Sequence, residues 1–187
     1  PCPGDNPCFI TLSPDGNYLL TADYSGGSAS VYPLQNGAVC ERIQKLTFEG
    51  SGPVTRRQGS PHIHQVKILP DIPGVEGNWI LAPDLGSDKI RILKYNEGNL
   101  KHISCIPFPA GSGPRHIEFD VQRKMMYCIA ELSGKVFAFR MASKGGAPAF
   151  ELVQSVVADE YNTGGSGDIH LHPQGKYLYT SHRLQND

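Results

Sequence analysis

Hydrophobic residues along the chain fall in short runs, and turn-forming residues separate them. Phe9-Ile10-Thr11-Leu12 precedes Ser13-Pro14-Asp15-Gly16. Tyr18-Leu19-Leu20-Thr21-Ala22 follows, then Ser25-Gly26-Gly27, then Ala29-Ser30-Val31-Tyr32. Pro fixes φ, Asp hydrogen-bonds to its own backbone and Gly accepts φ > 0, so Pro-Asp-Gly between two apolar runs predicts two strands joined by a tight turn. Helical periodicity is nearly absent: no window of about eleven residues carries apolar positions at i, i+3, i+4 and i+7 without Gly or Pro intruding. The pattern predicts an all-β protein.

The same order of runs recurs. A second copy has His64–Leu69, Trp79–Asp84 and Lys89–Leu93; a third has Arg115–Phe119, Lys124–Ala130 and Lys135–Phe139; a fourth has Asp168–Leu171, the turn Pro173-Gln174-Gly175 and Tyr177–Ser181. Ile10, Val66, Ile117 and Ile169 align, at spacings of 56, 51 and 52 residues. Each of the first three copies adds a weaker fourth run: Arg42–Phe48, His102–Phe108 and Phe150–Val157. Four short antiparallel strands repeating at about this period make a β-propeller blade. A single four-stranded sheet cannot bury both its faces, so blades stack around a channel. The repeats therefore predict three blades and the first two strands of a fourth. Closed propellers have about four to eight blades. Residues 1–187 are accordingly expected to form one partial propeller domain of a longer chain.

Composition narrows the function classes. Seventeen basic and 18 acidic side chains give a formal net charge of −1, which argues against nucleic-acid binding by phosphate neutralisation. No apolar run approaches the roughly 18–20 residues that span a bilayer as a helix, so no membrane partner is expected. The five cysteines, Cys2, Cys8, Cys40, Cys105 and Cys128, include no C-x-x-C pair. Cys128 lies inside an apolar run and is expected to be buried. The odd count favours the cytoplasm; a Cys2–Cys8 bridge in an exported protein stays open.

Superposing the copies places chemistry at equivalent positions. His64 matches Arg115 at the start of the first strand. Glu131 matches Arg183 at the end of the second. In an antiparallel hairpin these positions lie side by side, so all four are expected on one rim near the channel mouth. Two arginines can hold a carboxylate, a phosphate or a developing oxyanion. A histidine titrates near neutral pH and can activate water. A glutamate can orient either. His62 and His182 are assigned to substrate binding beside these four, while His116, next to Arg115, is expected to point to the opposite face. The pairs His62/His64 and His170/His172 would each share a strand face, but nothing nearby completes a metal site, and neither metal nor cofactor is expected. The runs Gly111–Pro114 and Gly164–Gly167 precede inner strands and could bring backbone amides to an anion at the rim. No glycine-rich loop opens a helix, and no serine stands in a nucleophile elbow.

Five motifs, Ser60-Pro61-His62-Ile63-His64-Gln65-Val66, Asp84-Leu85-Gly86-Ser87-Asp88, Gly111-Ser112-Gly113-Pro114-Arg115-His116, Ala130-Glu131-Leu132, and Asp168-Ile169-His170 with Ser181-His182-Arg183, resemble those of the seven-bladed propeller lactonase family. That family includes the propeller-type 6-phosphogluconolactonases and the fungal 3-carboxy-cis,cis-muconate lactonizing enzyme. The resemblance implies a seven-bladed fold and a metal-free site at His64, Arg115, Glu131 and Arg183. It also implies a small anionic lactone as substrate, with no obligatory protein partner. Hydrolysis of 6-phosphogluconolactone is the leading expectation. A carboxymuconate cycloisomerase and a non-catalytic binding propeller are the alternatives. The shorter chain would leave one side of the site without its wall.

Overall fold

The computed structural model describes residues 5–161 and 163–183. Cys2 and Leu184–Asp187, where a further strand is expected to begin, lie outside the described residues. The described chain is built of strands, with one 3₁₀ turn at Leu85–Ser87. It packs as two compact units. Unit 1 comprises residues 1–69 and 77–110, and unit 2 comprises residues 70–76 and 111–187.

Unit 1 contains two antiparallel sheets. In the first, β1 (Pro7–Leu12), β2 (Tyr18–Asp23) and β3 (Ser28–Gln35) are consecutive neighbours. The outer strand is split into β4 (Ala38–Val39) and β5 (Gln44–Thr47), both paired to β3. The second sheet runs in order β6 (Lys67–Ile68), β7 (Asn78–Asp84), β8 (Lys89–Asn96) and β9 (Asn99–Pro107). Its first strand is shorter than the expected His64–Leu69 run. The chain before Lys67 touches β7 through a bridge from Ile63 to Asp84 and a bond from the His64 amide to the Pro83 carbonyl, 3.0 Å. Leu20, Val31, Ile63, Val66, Ile80 and Leu93 form the core of the unit. Burying each such side chain contributes about 1.5–3 kcal/mol. The Gln44 amide group ties the two outer strands together, donating to the Leu100 carbonyl and accepting from the Leu100 amide, both at 2.8 Å.

Unit 2 contains a four-stranded sheet in order β10 (Pro114–Asp120), β11 (Met125–Ala130), β12 (Lys135–Lys144) and β13 (Ala147–Val157). Beside it lies the pair β14 (Ser166–Leu171) and β15 (Leu178–His182). Ile129, Val136 and Ile169 join the two sheets, with Tyr127 and Leu178 against them. The Asp71–Gly77 insertion, which replaces a tight turn, gives residues 70–76 to this unit: the Glu76 amide donates to the Gly146 carbonyl at 2.8 Å. These sheets are the three blades and the two-stranded start of a fourth that the repeats predict.

The turns behave as their residues dictate. The Gly16 amide donates to the Ser13 carbonyl at 2.9 Å and the Asn17 amide to Asp15 Oδ1 at 3.0 Å, with Gly16 at φ 73°. The fourth blade repeats this at His172–Gly175, with Gly175 at φ 68°. Cys128 is fully buried, and burial pushes its thiol pKa up.

Candidate functional site

The first strand of every blade takes one extra residue near its start. Pro7 pairs with Asp23 and Phe9 with Ala22, leaving Cys8 over. Pro114 pairs with Ala130 and His116 with Ile129, leaving Arg115 over. Ser166 pairs with His182 and Ile169 with Thr180. Between the Ile63–Asp84 bridge and the Lys67–Leu81 pair the second blade also carries one extra residue. A bulge of this kind bends the strand and breaks strict alternation of its side chains. The repeat alignment puts Cys8, His64, Arg115 and Gly167 at this irregular position.

In unit 2 the bulge assembles a charged cluster. Arg115 Nε donates to Glu131 Oε2 at 2.9 Å, and Arg183 Nη2 lies 3.0 Å from Glu131 Oε1. One carboxylate, 2 % exposed, thus holds two guanidinium groups; Arg115 is 13 % exposed and Arg183 52 %. Burial pulls the Arg115 pKa below its ordinary value, the Glu131 charge opposes this, and the Arg183 charge lowers it further. Both arginines also lean on the Gly164–Gly167 run, which leads into β14. Arg115 Nη1 donates to the Gly167 carbonyl at 2.7 Å and Arg183 Nε to the Gly165 carbonyl at 3.3 Å. The Gly164–Gly167 run therefore meets the site with carbonyls that steady the cations, where the sequence suggests amides for an anion. A Cβ at Gly167 would lie 2.8 Å from Ser181 Oγ, so that hydroxyl would have to shift to admit a side chain.

His116 corrects an expectation. Simple alternation turns it away from Arg115, but the bulge brings its Nε2 to 3.4 Å from Arg115 Nη1. Its Nδ1 is 2.7 Å from Asp168 Oδ1. Burial pushes the Asp168 carboxyl up, and bonds from His116, the Ile169 amide and His170 outweigh it, holding the pKa at about 2 against an ordinary 3.8. A carboxyl held lower in the folded state than in the unfolded chain stabilises the fold above the unfolded value. That contribution disappears as pH falls through the folded value. Between about pH 4 and pH 2, denaturation of the wild type is expected to ease more steeply with acid than that of Asp168→Asn. Superimposable pH–stability curves for the two proteins would refute this.

Unit 1 holds the other assigned residues. His64 is buried, with Nδ1 3.7 Å from Cys8 Sγ. His62 Nδ1 donates to the Tyr24 carbonyl at 2.9 Å, and its ring stacks on Tyr24, centroids 4.4 Å apart and planes at 10°. Tyr24 also meets the His64 ring edge-on at 5.3 Å. Sequence reasoning missed Tyr24. It follows Asp23 as Glu131 follows Ala130 and Arg183 follows His182, so it fills the same place in the first blade. The alignment carries that signal, but a tyrosine at the end of an apolar run reads as packing rather than chemistry. In unit 2, His182 is engaged at both ring nitrogens, with Ser166 Oγ at 2.9 Å and Thr180 Oγ1 at 3.1 Å. His170 and His172 do not act as a pair: His170 Nε2 binds Asp168 Oδ2 at 3.0 Å, and His172 Nδ1 accepts from the Gln174 amide at 3.1 Å. Among the described residues no group of three or more His, Cys, Asp or Glu side chains converges as a metal site would require.

Comparison with known proteins gives this arrangement its context. The family described as "Lactonase, 7-bladed beta-propeller" matches residues 1–187. The chain belongs to the seven-bladed β-propeller lactonase family. It is similar to the 6-phosphogluconolactonase of Bacillus subtilis, with 31% identity over 96% of this chain and 50% of that protein. The crystal structure of a candidate 6-phosphogluconolactonase from Bacteroides fragilis superposes with a TM-score of 0.85 and 42% identity, over 96% of this chain and 50% of the other. The periplasmic gluconolactonase of Pseudomonas aeruginosa superposes at 0.82 with 32% identity, over 95% and 50%. The chain spans about half the length of the lactonase relatives it matches. The fold is thus a partial β-propeller. Among the described residues no helix is long and apolar enough to cross a membrane.

Proposed function

We propose that the whole protein hydrolyses a small anionic sugar lactone, 6-phosphogluconolactone, to 6-phosphogluconate. The observation that carries this reading is the grip of Glu131 on two guanidinium groups at once. Among the described residues, Arg115 Nη2 and Arg183 Nη1 have no hydrogen-bond partner, so each cation is held in place with donors to spare. Such fixed donors suit the phosphate of the substrate or the oxyanion that forms when water adds to the ester carbonyl. His64 takes the role of general base: it removes a proton from the attacking water, the carbonyl carbon gains that oxygen, and the ring C–O bond breaks as the leaving oxygen takes that proton back from His64, giving the acid and a free hydroxyl. His62 and His182 are assigned to the substrate's polar groups. The relatives named 6-phosphogluconolactonase support the choice of lactone. All 187 residues are assigned to one propeller domain that is part of a longer chain, supported by relatives of about twice the length. A reducing compartment, the cytoplasm, accords with free Cys8, Cys40, Cys105 and Cys128.

The test is turnover by the full-length protein above the spontaneous rate, with the carboxymuconate assayed alongside. Replacing Arg115 by alanine is expected to lower kcat by about 10²–10³. A His64→Ala protein as fast as wild type would remove His64 from the mechanism. Turnover of the muconate alone would identify a cycloisomerase, and binding without turnover of either compound would leave a binding propeller.

A further inference from the structure

The His116–Asp168 pair beside Arg115 is not explained by the roles assigned so far. Two contacts of the histidine fix its ring chemically. An ionised carboxylate only accepts, so the 2.7 Å contact from Asp168 Oδ1 requires the proton on His116 Nδ1. A guanidinium only donates, so the 3.4 Å contact from Arg115 Nη1 requires a lone pair on His116 Nε2. Together they select the neutral ring with Nδ1–H. The carboxylate is itself held. The Asp168 amide donates to Ser181 Oγ at 2.9 Å, Oδ1 also accepts from the Ile169 amide at 2.9 Å, and Oδ2 meets His170 Nε2 at 3.0 Å. Arg115 is thereby gripped at Nε by Glu131 and at Nη1 by the Gly167 carbonyl and His116. Those are three acceptors on two of its three nitrogens, which set the direction in which Nη2 points.

We infer that Asp168 and His116 are positioning residues for Arg115: the aspartate locks the histidine in the tautomer whose Nε2 receives a guanidinium N–H. The other tautomer would turn an N–H against an N–H at the same place and push the guanidinium aside. This inference rests on the lactonase reading for its kinetic consequence, but its structural half stands without it.

Two measurements on the full-length protein test it. Nitrogen-15 NMR of labelled histidine reads the tautomer directly, and His116 is expected with Nδ1 protonated and Nε2 bare at neutral pH. Kinetics with 6-phosphogluconolactone read the consequence. Asp168→Ala, which removes the acceptor, is expected to lower kcat/KM about ten- to a hundred-fold, the scale on which carboxylates that orient metal-binding histidines act. Asp168→Asn, whose Oδ1 can still accept from Nδ1–H, is expected to recover part of that loss and to keep the His116 tautomer. A wild-type His116 protonated at Nε2, or an Asp168→Ala protein with wild-type kcat/KM and an unmoved tautomer, overturns the inference. Absence of turnover in the wild type overturns the lactonase reading instead, and the tautomer then decides the inference alone.

Discussion

Glu131→Ala is expected to destabilise the full-length protein by about 3–5 kcal/mol, because it strands a buried cation. The carboxylate lies between Arg115 and Arg183 and is nearly inaccessible to solvent. Without it, Arg115 keeps its carbonyl and imidazole contacts but loses the carboxylate it is paired with, while the Arg183 charge stays close. Glu131→Gln keeps the volume and one acceptor. Its amide nitrogen would have to face the second guanidinium, donor against donor, so it is expected to fall between wild type and alanine. Activity should follow the same order, with a loss of about 10²–10³ for alanine, since the two guanidinium groups proposed to hold the anion lose their common anchor. Urea unfolding and kcat/KM of the three proteins check this. A Glu131→Ala protein within about 1 kcal/mol of wild type would show that Arg115 does not depend on this charge.

That Arg115, Glu131 and Arg183 come together was legible in the sequence. The reason is the repeat. Strand order and turn chemistry fix where the first strand of each blade starts and where the second ends, and these ends meet in any antiparallel hairpin. What the sequence hid is the bulge. One extra residue in the first strand leaves the apolar run Ile117–Phe119 looking regular, and only the pairing of His116 with Ile129 reveals that Arg115 is left over. Alternation therefore sent His116 to the wrong face. Tyr24 was hidden for another reason: an aromatic at the end of an apolar run reads as packing, and its contact with both His62 and His64 exists only once the loop at Ser60–His64 is folded. The short β6 follows from the same loop, which approaches β7 through single bonds before the ladder begins at Lys67.

That loop depends on a glycine whose substitution is expected to be among the most damaging in unit 1. Gly86 lies in the buried 3₁₀ turn, and a Cβ there would sit 1.8 Å from the Ser60 carbonyl oxygen and 3.0 Å from the His62 amide nitrogen. Both obstacles are backbone, so no side chain can swing aside. The obstructed segment is fixed on its other side. The His62 amide donates to Asp84 Oδ1 at 2.9 Å, the Leu85 amide donates to the His62 carbonyl at 3.0 Å, and the buried Gln58 side chain donates to the Leu85 carbonyl at 2.9 Å. Gly86→Ala must break some of these bonds, and overpacking of this sort costs about 1–3 kcal/mol or more. Gly16→Ala is the informative contrast. Gly16 has φ 73° but open space around it, so alanine there meets only backbone strain, about 1–2 kcal/mol. The two effects separate in kinetics. Gly16→Ala should leave turnover untouched, because the turn it closes lies far along β1 and β2 from His62 and His64. Gly86→Ala should lower kcat, because Ser60–His64 carries both histidines and the Tyr24 stack. Equal unfolding midpoints for Gly86→Ala and wild type, with unchanged kcat, would mean that the loop yields without moving His64, and the close approach of Gly86 to Ser60 would then carry no weight in placing that histidine.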